Sequence, residues 1–305
     1  MLRPDMTPQE AQRALTSVFK SGGIDTANLD ARVLIEAVTC LTATDMARAP
    51  ERGLSAPEID CLRDYQAQRL EGKPVSKIIG QREFWGRLFQ VNEHVLDPRP
   101  DSEALVEAAL ARLPEAQAFQ LLDLGTGSGC LLLTLLAERA QGQGLGVDVS
   151  EPALVVAKAN SQSLDLQARA RFASSDWLES VVGRFDMIVS NPPYISDVEM
   201  ASLDKNVLDY DPHLALKGGG DGMDPYRHIC AKAQDHLQAD GWLLFEIGAT
   251  QGAAVGEILR QADFSQVQVL PDLAGRDRVV MGRAPSAPRG NKKGVCKARA
   301  GRLGS

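Results

Sequence analysis

Apolar residues recur at three- and four-residue intervals over residues 7–70, the period of helices with one buried face. Thr7 suits an N-cap, Pro8 the first helical position, and Glu10 completes a capping box ahead of the stripe Ala11, Leu15, Val18 and Phe19. Ser21, Gly22 and Gly23 end that stripe. A second runs through Leu29, Val33, Leu34 and Ala37, and Ser55 with Glu58 opens a third through Ile59, Leu62, Tyr65 and Leu70 that stops near Gly72 and Pro74. Residues 1–74 are therefore expected to form a small helical domain.

The period changes over residues 75–97, where Phe84, Trp85, Leu88, Phe89 and Val91 are punctuated by Gly80 and Gly86, and a linking hairpin is expected. A helix follows over 102–113, and then short apolar runs alternate with helical stripes: strands at 120–124, 144–147, 169–173 and 185–190, with helices at 131–137 and 151–163. Residues 195–222 show no period and are expected to be a long loop beside an active edge. Helix 224–237, strand 241–247, helix 251–261 and a strand pair at 266–270 and 278–281 close an α/β domain over 98–284.

Charge changes the picture at one end only. The net charge of −7 becomes −13 for the body once Arg289, Lys292, Lys293, Lys297, Arg299 and Arg302 are set aside, and residues 285–305 predict a basic, disordered tail. An acidic body argues against a stable nucleic-acid complex, which calls for a basic face. Five dispersed cysteines without a C-x-x-C pair, and four scattered histidines, predict neither a disulfide framework nor a metal site. No signal peptide or membrane span is expected, which places the protein in the cytoplasm.

Candidate chemistry gathers at the strand ends. The first strand of the α/β domain runs straight into Gly125, Thr126, Gly127, Ser128 and Gly129, a glycine loop that lets a ligand approach the backbone. Its third glycine comes one residue earlier than in the dinucleotide fingerprint, and Asp123 just before the loop disfavours a pyrophosphate and favours an ammonium group. Asp148 ends the next strand, where acids accept hydrogen bonds from a ribose diol. Asp176 and Trp177 follow the third strand with a carboxylate and an aromatic plane at the height of an adenine. The fourth delivers Asn191, Pro192, Pro193 and Tyr194. Proline fixes this corner's backbone, so the carbonyls of Asn191 and Pro192 are held in place, and together with the Asn191 amide and the aromatic face of Tyr194 they suit a planar nitrogen nucleophile. Arg99 and Glu103, before and within the helix at 102–113, are possible borders of the same site.

The run Leu122 to Gly129 resembles the first motif of class I S-adenosylmethionine-dependent methyltransferases, and Asn191-Pro192-Pro193-Tyr194 resembles the fourth motif of those that methylate planar nitrogens. The order of Arg82, Glu83, Phe84, Trp85, then Pro98, Arg99, Pro100, Asp101, Ser102, Glu103, then both motifs, is similar to the release-factor glutamine N5-methyltransferases. That resemblance implies a Rossmann-like seven-stranded sheet with helices on both faces, behind an N-terminal substrate-recognition domain. It assigns the methyl donor to Gly125 through Gly129, Asp148, Trp177 and Asn191, to which the strand-end chemistry adds Asp123 and Asp176, and the acceptor glutamine to Asn191 through Tyr194, with Asn191, Pro192 and Tyr194 catalytic. It also implies release factors 1 and 2 as protein substrates, a role in translation termination and a monomeric enzyme. Two features depart from the family pattern: Leu96 and Asp97 before Pro98, and the basic tail. The same motifs leave open a ribosomal-protein glutamine or a nucleic-acid adenine as acceptor. A glycine loop with Asp148 alone would also allow a nicotinamide oxidoreductase or a non-catalytic binding protein.

Overall fold

A computed structural model describes residues 2–203 and 205–286, without the side chains of 205–207; the expected basic tail lies outside the described residues from 287 onward. Helices α1 (Pro8–Ser21), α2 (Ala27–Thr39), α3 (Ala43–Arg48) and α4 (Ala56–Leu70) form the N-terminal part, followed by the short α5 (Val75–Ile79). Both expected capping boxes are present: Thr7 with Glu10 opens α1, and Ser55 with Glu58 opens α4. Leu15, Phe19, Leu34, Ile35, Ile59 and Leu62 close a core of their own here. The expected stripe of α2 is rotated. Leu29 is 50% exposed and Ala37 is exposed, while Ala27, Asp30, Ala31, Leu34 and Ile35 face inward. The cause is an ion pair: Arg69 of α4 donates to Asp30 at 2.7 Å and turns a polar residue into the interface.

Strands β1 (Gln81–Phe84) and β2 (Arg87–Gln90) form the expected hairpin. Its two turn residues, Trp85 and Gly86, both have positive φ (52° and 68°), as a primed two-residue turn requires. The Trp85 indole donates to Glu138 at 3.2 Å, which holds the tryptophan in a conformation it seldom adopts.

After a 3-10 turn at Pro100–Ser102 come α6 (Glu103–Leu110), β3 (Phe119–Leu124), α7 (Cys130–Glu138), β4 (Gly142–Asp148), α8 (Glu151–Ser163), β5 (Ala170–Ser174) and β6 (Phe185–Ser190). The segment expected to be a long loop instead holds α9 (Asp197–Met200) and α10 (Lys205–Tyr210). Their brevity hides them from periodicity, although Ser196 caps α9 through a capping box with Glu199. Helix α11 (Asp224–His236), β7 (Leu237–Glu246), α12 (Gly252–Gln261), β8 (Ser265–Pro271) and β9 (Asp277–Arg283) complete the chain order.

Seven strands form one sheet in the order β5-β4-β3-β6-β7-β9-β8. Pairs from β5 through to β7 are parallel, and β9 runs antiparallel to both neighbours. Alternation along the strands feeds two cores. Leu121, Met187, Val189 and Leu244 pack on one face with residues of α6 and α7, and Leu122, Ile188, Leu243 and Phe245 pack on the other with residues of α11 and α12. From β3 the chain proceeds outward through β4 to β5, then returns to β6 on the other side of β3. The switch point of an open parallel sheet, where ligands bind, therefore lies at the carboxyl ends of β3 and β6. No helix among the described residues is long and apolar enough to cross a membrane.

Candidate active site

The carboxyl ends of β3, β4, β5 and β6 open onto a cavity of about 740 Å³. Gly125, Thr126, Gly127, Ser128, Asp148, Asp176, Trp177, Asn191 and Pro193 all line it, although they come from four separate stretches of sequence. Asp123, Gly129, Pro192 and Tyr194 stand behind this wall. Asp123 is buried beneath the glycine loop, where its Oδ2 accepts from Thr126 Oγ1 at 2.6 Å. Pro192 is buried, and Tyr194 is half-buried beside Gly248.

The loop's shape follows from glycine. Gly125, Gly127 and Gly129 have φ of 69°, 53° and 79°, a region that L-residues with a side chain rarely enter. A β-carbon on Gly125 would meet the Trp177 ring at 3.5 Å, so the loop and the tryptophan are close neighbours. Asp148 fixes the same loop from β4: its Oδ2 accepts from Gly127 N at 2.9 Å and its Oδ1 from Ser150 N at 2.9 Å. Asn160 of α8 donates to Ser128 O at 2.9 Å and to Gln90 O at 3.1 Å, tying loop and hairpin together.

The corner after β6 is anchored on both sides. Ser190 Oγ donates to Leu124 O at 2.7 Å, and Gln251 Nε2 donates to Tyr194 O at 2.9 Å. Gly218 N donates to Ile195 O at 2.8 Å, bringing the glycine turn against the corner. A β-carbon on Gly218 would fall 2.8 Å from Pro193 O and from Tyr194 Cα.

Sequence reasoning reached the rest of the wall only in outline. Residues 93–99 and Ser102 form one part of it, and Pro212, Leu214, Ala215 and Lys217 another. Arg99, expected only as a possible border, lines the cavity and pairs with Asp211 at 2.9 Å; Glu103 does not line it. Lys77 of α5, almost fully buried, pairs with Asp97 at 2.9 Å and donates to Asn92 O at 2.6 Å. The run Asp97 to Glu103 and the loop expected beside the active edge at 195–222 carried a sequence signal here, whereas Lys77 and residues 93–96 carried none.

Burial dominates the electrostatics. The Asp123 and Glu246 carboxyls are both pushed up to about 7, and Asp148 nearby adds to the rise at Asp123. Each keeps one buried oxygen without a partner, Asp123 Oδ1 and Glu246 Oε2. Burial likewise lifts the Cys130 thiol to about 12, which makes it a poor nucleophile. The Tyr194 phenol is raised by burial and by the Glu246 charge. The arrangement thus brings acidic groups and an aromatic plane to the glycine loop and an amide with fixed carbonyls to the same cavity.

Comparisons with known proteins agree with this geometry. Residues 101–221 match the family model described as methyltransferase small domain, and residues 10–80 match the PrmC N-terminal domain. A release factor glutamine methyltransferase of Cereibacter sphaeroides is 46% identical over 92% of this chain and 100% of its own length. One from Caulobacter vibrioides is 42% identical over 91% of this chain and 96% of its own. Among solved structures, a methyltransferase from Pyrococcus furiosus superposes with a TM-score of 0.51 at 17% identity, over 73% of this chain and 98% of that one, which supports the class I methyltransferase fold. With the fold, the glycine loop and the Asn-Pro-Pro-Tyr corner all in place, the chain belongs to the release factor glutamine methyltransferase family.

Proposed function

We propose that this chain transfers the methyl group of S-adenosylmethionine to the side-chain amide nitrogen, N5, of the glutamine in the Gly-Gly-Gln motif of peptide chain release factors 1 and 2, acting as a cytoplasmic monomer. One observation carries the reading: Asn191 and Pro193 share a single cavity with loop 125–128 and Trp177, so an acceptor nitrogen and an adenosine-bearing donor are brought to the same place. The relatives from Cereibacter and Caulobacter are named for this reaction. Residues 1–74 are assigned to substrate recognition, 75–97 to a linker and 98–284 to catalysis.

The residues present fit the donor. Asp123 Oδ1, a buried carboxyl oxygen without a partner beneath the glycine loop, suits a ligand that carries cationic groups, and the Gly125 and Gly127 backbone leaves room where any side chain would intrude. We assign the donor to loop 125–129, Asp148, Asp176, Trp177 and Asn191, with Asp123 beneath the loop. When bound, S-adenosylmethionine supplies an electrophilic methyl group on a sulfonium.

The chain's own task is orientation. A carboxamide nitrogen is a poor nucleophile because its lone pair is delocalised into the carbonyl. Asn191 Oδ1 and the Pro192 carbonyl accept its two hydrogens and hold the nitrogen in line for attack, with Tyr194 packed behind. Positioning of this kind supplies several kcal/mol of a barrier, roughly 7 or more in well-oriented cases. The same hydrogen bonds strengthen as positive charge develops on nitrogen.

The test is to incubate the protein with isotopically labelled donor and purified release factors and to locate the label by peptide mass spectrometry. Label on the glutamine of Gly-Gly-Gln is expected. Label only on a ribosomal protein or on nucleic acid would overturn the assignment.

A further inference from the structure

A nitrogen that gains a methyl group carries a positive charge until one of its hydrogens leaves. The corner supplies no base for it, since an amide oxygen and a main-chain carbonyl accept hydrogen bonds but take a proton only in strong acid. Most other groups around the cavity are committed. Both oxygens of Asp148 hold backbone N–H groups. Asp97 is paired with Lys77, and Asp224 with Arg227. His228 also lines the cavity, with its Nε2 3.4 Å from Glu179 and without a hydrogen-bond partner, but it is carried by α11 and not by the strand paired with β6.

Glu246 differs from these in standing on the strand that pairs with β6, next to the corner. It ends β7 one residue beyond Phe245, whose partner across the sheet is Ser190, so it stands alongside Asn191. It is 2% exposed, its Oε2 is buried without a partner, and Ser102, which lines the cavity, lies close enough to its carboxyl to oppose the rise in its pKa. A buried acceptor left open in this way calls for a partner that arrives later.

We propose that Glu246 is the proton acceptor of the transfer, reached through Ser102, an inference that rests on glutamine N-methylation as the reaction. The nitrogen–carbon bond forms as the carbon–sulfur bond breaks, and the electron pair of the broken bond stays on sulfur. Once the methyl group is in place, one N–H leaves its acceptor in the corner and turns to Ser102 Oγ, which takes that proton while the hydroxyl proton of Ser102 moves to the Glu246 carboxylate. Methylated amide and thioether leave neutral, and Glu246 later returns its proton to solvent. Ser102 is the group that touches the acceptor, and Glu246 acts through it.

The groups facing Glu246 are Arg278 from β9, Arg99 and Asp101 from the turn before α6, Tyr194 from the corner, Tyr226 from α11 and Cys130 from α7. Burial outweighs Ser102 and the two arginines and sets its carboxyl at about 7, so the ionised form needed for acceptance fills as pH passes neutrality.

The experiment measures kcat and KM on a release factor from about pH 6 to about pH 9 for the wild type, Glu246→Gln, Glu246→Asp and Ser102→Ala. Donor affinity is read from Trp177 fluorescence, and Tm is measured alongside. Wild-type kcat is expected to rise through about pH 7. Glu246→Gln and Ser102→Ala should each lose about 100-fold or more in kcat, and Glu246→Gln should also lose the rising limb. KM and donor affinity should stay within about threefold. Glu246→Asp, which keeps a carboxylate, should recover part of the rate together with the limb. A Glu246→Gln enzyme within about threefold of wild type, or one slower but with the limb intact, would overturn the proposal. So would a Glu246→Asp enzyme as inactive as Glu246→Gln with a matching fall in Tm. A wild type that labels no glutamine overturns the functional reading and this proposal with it, whereas an active wild type matched by Glu246→Gln overturns this one alone.

Discussion

Arg99 donates to Asp211 at 2.9 Å across 112 positions of sequence, and this pair joins two stretches of the cavity wall, the strap before α6 and the segment that begins at Pro212. Lys77 lies 3.9 Å from the same carboxylate, so the network reaches back to α5 and the N-terminal helices. Burial raises the Asp211 pKa, and Arg99 and Lys77 oppose that rise. Asp211→Asn should lower stability by about 1–3 kcal/mol, the range for losing a buried charge-assisted hydrogen bond, because Lys77 keeps Asp97. Donor release should quicken several-fold as the wall loosens. Chemical denaturation and stopped-flow fluorescence check both, and unchanged values would show that other contacts hold this wall.

Asn191 and Gly218 should separate catalysis from donor binding. Asn191→Ala removes an acceptor that serves the amide nitrogen, so transfer should be abolished while donor affinity falls less; near-normal turnover would remove Asn191 from the mechanism. In Gly218→Ala the added methyl would meet backbone atoms of Pro193 and Tyr194 at 2.8 Å. Backbone cannot rotate away as a side chain can, so the corner itself must shift, at a cost of about 1–3 kcal/mol. A drop in kcat of tenfold or more, on the order of 1.4 kcal/mol, is expected, with a smaller change in donor affinity.

Asp148 holds the glycine loop and faces the cavity, so it serves structure and binding together. Asp148→Ala would leave Gly127 N and Ser150 N without their acceptor, and donor affinity should fall by about 10- to 100-fold. Asp148→Asn keeps an acceptor for one of them and should lose less. Calorimetric titration with donor and with its demethylated product gives both numbers.

Stability of the donor-free protein should decline as pH rises from about 5 to about 7. Asp123 and Glu246 have folded-state values near 7 against ordinary values of 3.8 and 4.5, so the folded protein binds more protons than the unfolded chain in that window. The stability they contribute is fully present below the unfolded values and is lost as pH climbs to the folded ones. The slope is at most about 1.4 kcal/mol per pH unit for each carboxyl. Carboxylates with lowered values, such as Asp221 at about 2, act only in more acidic solution. Thermal denaturation across this range is the measurement, and Glu246→Gln should flatten the slope by about half. A stability that rises through the window would mean that these carboxyls are already ionised in the folded protein.

What was legible in the sequence is what neighbouring residues impose on one another. Capping boxes at Thr7 and Ser55, the glycine loop after β3 and the proline corner after β6 each follow from backbone restrictions within a few residues, and each stands where the sequence places it. Alternation and strand length were enough to anticipate an α/β sheet with ligand chemistry at its carboxyl edge. The inward turn of Asp30, the Asn160 brace on the loop, the Arg99–Asp211 pair and the seat of Glu246 beside Asn191 were not legible. Each depends on side chains tens of residues apart meeting across packed elements, where burial and charge are decided jointly. An aspartate on a helix looks like surface until Arg69 is folded against it, and a glutamate at a strand end carries no signal until the sheet sets it next to the corner and shuts out water. The sequence alone determined the parts and their chemistry; the tertiary structure decided which carboxyls are buried and what they face, because desolvation belongs to the assembled core and to no local stretch of chain.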